Sequence, residues 1–165
     1  MARINAPTKI KAFLDLIAWA EGTIGLGDDG YNKIVNPGGY FDSYADHPNK
    51  LIQVKPGLKS TAAGRYQIMV KWWRAYKKIL ALPGFGPESQ DKVAIQLIRE
   101  CKAYQDILDG KIESAITKCH SRWASFPGAG YGQPEKSMAA LLVQYAKFEE
   151  AAKLNSTVAA LRGAE

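Results

Sequence analysis

Cysteine and histidine are scarce in this 165-residue chain, with two of each, and long apolar runs are missing altogether. Cys101 and Cys119 stand in helix-like segments and match no metal-ligand spacing. A chain of this length buries a core without disulfide staples, so both are read as free thiols. His47 and His120 are far apart, with no cysteine or carboxylate pattern beside them, so the spacing supports no zinc site and no metal is expected. No cofactor motif appears either. "GAGYG" at 128–132 lacks the spacing and the Lys-Ser/Thr of a phosphate-binding loop. At the N-terminus, Lys9, Lys11, Asp15 and Glu21 interrupt the apolar residues, which excludes an uninterrupted secretory-signal core. No stretch approaches a membrane span. The expectation is a chain made in the cytoplasm that needs another agent to leave it.

What is present suits one globular domain over 1–165: 47% hydrophobic and 23% charged residues, with no repeat, low-complexity tract or linker. The formal charge of +6 and pI near 9.3 draw such a chain toward polyanions, whether nucleic acid, anionic lipid or an acidic wall polymer, without choosing among them.

Periodicity sets the coarse architecture. Ile10, Phe13, Leu14 and Ile17 repeat at helical spacing, so 8–21 reads as a helix with Thr8 as its N-cap. Residues 22–60 turn rich in Gly, Asn, Asp and Pro, with β-prone pieces at 31–35, 39–44 and 51–54 and a turn signal, "NPGG", between the first two. Helix resumes over about 61–82 after an irregular start at "STAAG". It returns at 87–103, with Pro87 in the first turn and a stripe of Val93, Ala94, Leu97, Ile98 and Cys101. Further helices are expected at about 111–119 and 135–153. The class is α+β: mostly helical, with one small antiparallel β lobe and a cleft between the lobes.

Glu21 raises the chemical question. It continues the apolar stripe four residues past Ile17, and Gly22 marks the helix end. Burial and the negative end of the helix dipole both favour its protonated form, as a general acid requires. The competing reading is an ordinary helix-ending Glu that pairs with a base. "STAAGRYQIM" at 60–69 sets small residues before Arg65, Tyr66 and Gln67, a ring and an amide suited to sugars or, equally, an ordinary helix start. "WASFPGAGYGQ" at 123–133 brings Tyr131 forward on a glycine loop. "VKWWRAYKK" at 70–78 has the composition of a single-stranded nucleic-acid surface. Its spacing instead favours Trp72, Trp73 and Tyr76 as core residues and Lys71, Arg74 and Lys78 as solvated ones. Asp28, Asp29, Asp42 and Asp46 are candidates for a second catalytic carboxylate, and each also fits a turn.

Five segments, "FLDLIAWAEGT", "YFDSYADHPNKLI", "KSTAAGRYQ", "SQDKVAIQ" and "WASFPGAGYGQ", occur in the order of the bacteriophage lambda lysozyme family of endolysins, which this chain resembles from about residue 10 to about residue 135. The resemblance implies a lysozyme-like fold. It also implies cleavage of the β-1,4 bond between N-acetylmuramic acid and N-acetylglucosamine in peptidoglycan. That cleavage would be a lytic transglycosylation leaving 1,6-anhydromuramic ends, with hydrolysis as the alternative. Glu21 becomes the catalytic acid, and Arg65, Tyr66, Gln67, Tyr131 and Gln133 fall in motifs that bind substrate. The expected partner is the glycan strand, not nucleic acid, and no cofactor is needed. A monomer would wait in the host cytoplasm until a separate holin-type pore admits it to the wall in the periplasm.

Overall fold

In the computed structural model, residues 1–130 and 134–162 are described. The first helix, α1 (Thr8–Ala20), runs through the centre of the molecule. Ile10, Phe13, Leu14 and Ile17 are fully buried, as their spacing requires, and so are Leu16 and Ala18. The helix is therefore covered nearly all round rather than along one stripe. Its N-cap is Pro7, without a side-chain cap, and not Thr8. Proline already holds the extended φ of the position just outside a helix.

Two strands follow, β1 (Ile52–Lys55) and β2 (Leu58–Ser60), paired antiparallel with Ile52 opposite Ser60. The expected pairing of 31–35 with 39–44 shrinks to one bridge, Lys33 with Tyr40. Residues 33–35 divide their backbone bonds between two neighbours: Ile34 N–H donates to the Gly39 carbonyl, and Val35 N–H to that of Ala62. Neither side extends into a ladder, so the β lobe is a short hairpin surrounded by single bridges.

The remaining helices are α2 (Val70–Ile79), α3 (Pro87–Glu100), α4 (Tyr104–Leu108), α5 (Ile112–Cys119) and α6 (Met138–Arg162). α2 starts later than expected because 61–69 is a tight non-helical turn, with Gly64 and Gln67 at positive φ. Pro87 occupies the first turn of α3, where its missing N–H costs nothing. The short α4 was not expected, since five residues give too little periodicity to read. Within "VKWWRAYKK", Trp73 and Tyr76 join the core, while Trp72 is 43% exposed. Cys101 and Cys119 are free thiols. α1 packs chiefly on α6 and also on α4 and α3. Edge-to-face contacts of Phe13 with Phe126 (6.2 Å) and Tyr145 (6.5 Å) tie these layers together.

Candidate functional site

α1 ends on the acid. Glu21 is its C-cap, and Gly22 follows at φ +71°, the left-handed conformation that glycine adopts without strain. Gly22 N–H donates to the Trp19 carbonyl (3.1 Å) and Thr23 N–H to that of Ala18 (2.9 Å). This is the double bond pattern of a Schellman ending. It stops the helix one residue past Ala20 and leaves the Glu21 side chain at the seam between the helical body and the β lobe. The Thr23 hydroxyl crosses that seam to the Arg65 carbonyl at 2.6 Å.

Glu21 is half-buried. Its hydrogen-bond partner is Ser125, whose hydroxyl donates to Oε1 at 2.6 Å across 104 residues of sequence. Burial pushes the carboxyl above the usual glutamate range. The hydroxyl and backbone N–H of Ser125 pull back against it without cancelling the rise. No cation partners Glu21 among the described residues. A shift in this direction favours the protonated form that a general acid requires.

Of the other predicted site residues, Arg65 and Tyr66 are buried beneath the surface. Arg65 is fully buried, pairs with Asp15 at 2.7 Å and Asp29 at 2.7 Å, and donates to the Asp29 carbonyl. The Tyr66 hydroxyl donates to Asp91 Oδ1 at 2.6 Å. Both side chains are thus committed to interior carboxylates. They support the turn that carries Gln67. Gln67 is the half-buried residue of the motif, at φ +51°, with Nε2 on the Gly64 carbonyl at 3.0 Å. A non-glycine residue at positive φ is costly and needs rigid surroundings. Gly64, at φ +78°, leaves room for Gln90: a Cβ there would lie 2.2 Å from Gln90 Oε1. That oxygen accepts the Arg65 N–H.

Tyr131 and Gln133 lie outside the described residues. The loop before them is anchored by Glu135, which accepts the N–H groups of Gly128 (3.0 Å) and Gly130 (3.1 Å). Lys136 N–H donates to the Ser125 carbonyl, and its ammonium sits 5.0 Å from the centre of the Trp19 ring. The Trp123 indole N–H reaches the Tyr66 carbonyl at 3.3 Å. The α1 ending and the loop from Trp123 thus meet at Glu21, and the turn at 64–67 is bonded to both through Thr23 and Trp123.

Sequence reasoning missed three residues here. Asp15 and Asp91 had a signal, a charge inside an apolar helical run, which betrays a buried partner. Asp91 accepts four bonds, from Tyr31, Tyr66 and the Arg3 and Ile4 N–H groups. Ser125 had no signal beyond lying in a quoted motif. Among the described residues no cluster of His, Cys, Asp or Glu could hold a metal ion.

A half-buried acid that ends the central helix of a mostly helical fold with a small β hairpin fits a lysozyme-type enzyme. The chain belongs to the endolysin family, whose model, Endolysin, matches residues 11–151. The endolysin of Escherichia phage lambda is 50% identical over 155 residues, covering 92% of this chain and 94% of that protein. The endolysin of Escherichia phage P2 is 47% identical over 154 residues, covering 86% and 93%. The structure of bacteriophage lambda lysozyme complexed with a chitohexasaccharide superimposes with a TM-score of 0.85 at 45% identity, covering 88% of this chain and 97% of that one.

Proposed function

We propose that this endolysin degrades host peptidoglycan as a lytic transglycosylase, cleaving the MurNAc-β-1,4-GlcNAc bond with Glu21 as its acid and base. The observation that carries this reading is the placement of Glu21, bonded to the Ser125 hydroxyl at 2.6 Å with no cation beside it among the described residues and with burial favouring its protonated form. Its proton goes to the glycosidic oxygen as an oxocarbenium-like centre develops at muramic C1, and the GlcNAc hydroxyl departs. The resulting carboxylate takes the proton of the same muramic residue's C6 hydroxyl, whose oxygen bonds to C1. The product is a 1,6-anhydro end, and the acid is restored. The nucleophile is intramolecular, so proximity replaces a water-activating aspartate.

The aspartates support a single-acid scheme. Asp28 is bonded to Arg3 and Tyr44, Asp29 to the N-terminal ammonium and Arg65, and Asp46 to Trp73 and Lys77. Three of the four candidates are thus held by cations already. The lambda relative's complex with a chitohexasaccharide supports a sugar chain as the ligand here. A monomer acting in the periplasm after release from the host cytoplasm through a holin-type pore completes the reading.

The test is mass spectrometry of muropeptides released from purified Gram-negative sacculi. The wild type is expected to release non-reducing anhydromuramic products, and Glu21→Gln is expected to release none while staying folded. Reducing ends carrying solvent oxygen would establish hydrolysis instead and turn the search to Asp42. Full activity of Glu21→Gln would refute the assignment of the acid.

A further inference from the structure

Charge is divided unevenly along the chain. Residues 47–87 hold eight Lys and Arg and no Asp or Glu. The whole chain carries +6, so everything outside this stretch is net acidic. Four of the eight bases lie on α2, which has no acid of its own. Lys77 is engaged by Asp46 at 3.1 Å. Among the described residues, Lys71, Arg74 and Lys78 enter no ion pair.

The same helix leaves large apolar groups in water. Its inward face is Trp73 and Tyr76, 1% and 5% exposed, while Trp72 is 43% and Ile79 67% exposed. Trp72 and Ile79 are seven residues apart, two helical turns, and so share one side, with Ala75 between them. Lys71, Lys78 and Arg74 continue the exposed arc next to that strip, and the Lys71 ammonium sits 5.1 Å from the centre of the Trp72 ring. None of these side chains takes part in the hydrogen bonding around Glu21.

We propose that the outward face of α2 is an adsorption surface for an anionic phospholipid bilayer. Bases meet anionic headgroups, a tryptophan sits at headgroup depth, and an aliphatic side chain enters the acyl boundary. The aliphatic group decides against nucleic acid, whose binding surfaces join bases to stacking rings and gain nothing from Ile79. Adsorption is in the membrane plane: among the described residues no helix is long and apolar enough to cross.

The test uses the full chain and sedimentation with phosphatidylcholine vesicles containing about one-third phosphatidylglycerol. Binding is expected at low salt, and it should vanish with pure phosphatidylcholine. The triple charge reversal Lys71→Glu, Arg74→Glu, Lys78→Glu should weaken it by about a hundredfold or more, and Trp72→Ser with Ile79→Ser by about tenfold. Ile79→Ser alone, at an exposed site, keeps the apolar arm available if the double variant misfolds. All variants should release muropeptides from purified sacculi at the wild-type rate. Failure of the wild type to sediment, or wild-type sedimentation by the serine variants, overturns the proposal. So does tighter binding to a single-stranded oligonucleotide than to vesicles. Loss of sacculus digestion in folded variants would assign the face to the wall instead.

Discussion

Two opposed effects set the proton affinity of Glu21, the proposed acid: burial lifts it and Ser125 lowers it. That balance is testable because the active form of a general acid carries the proton, and activity falls as pH rises through its pKa. Removing the Ser125 hydroxyl removes a bond that favours the carboxylate, so the pKa must rise. Ser125→Ala is therefore expected to move the alkaline limb of the pH–rate profile upward by about one pH unit, a charged hydrogen bond being worth roughly that much. The plateau rate should fall by about tenfold as the carboxyl loses its fixed orientation. An alkaline limb at the wild-type position would show that the hydroxyl does not govern this proton. Asp28, Asp29 and Asp46 could not be dismissed from sequence because turn aspartates and catalytic aspartates look alike. Their cationic partners come from Arg3, Arg65, Lys77 and the N-terminus, and only folding brings those together.

At the scale of elements, α1 is joined to the turn at 64–67 by a buried ion pair. Arg65 and Asp15 are both essentially inaccessible, and their contact of 2.7 Å lies on the helix that ends at Glu21. Asp15 also accepts the Ala2 N–H at 2.8 Å. Replacing Arg65 leaves the Asp15 charge without a cation in a low-dielectric interior, whereas replacing Asp15 leaves Arg65 still paired with Asp29. Arg65→Met is expected to cost about 3–5 kcal/mol, read from urea unfolding; a loss below about 1 kcal/mol, the range of exposed pairs, would contradict the burial. α1, the first turn of α3 and the final helix were legible because their apolar spacing is long and regular. The β lobe was legible only as a composition. Residues 33–35 bond to both 39 and 62, and no local pattern announces a partner nearly thirty residues away.

On the scale of the whole molecule, α6 is two structures in one helix. Leu141, Tyr145 and Ala152 are buried against the body, whereas Leu154, Val158 and Leu161 are 63%, 45% and 69% exposed. The family model ends at residue 151, one residue before the last buried position, Ala152, among the described residues. A chain truncated after Ala152 is expected to keep its activity on sacculi within about twofold and its stability within roughly 0.5 kcal/mol, as for other changes at exposed positions. Loss of cooperative unfolding in the truncated chain would show that the exposed turns stabilise the body.

By itself the sequence determined the helical framework, the small polar-rich lobe, the end of α1 at Glu21–Gly22 and the family. Those are set by local spacing, by a glycine where the backbone turns left-handed, and by ordered motifs. Tertiary structure alone decided that Arg65 and Tyr66 lie beneath the site and that Ser125 is the partner of the acid. It alone also decided that Trp72 faces outward while Trp73 faces in. Each depends on which surface covers a side chain, and that surface is supplied by residues far away in the chain.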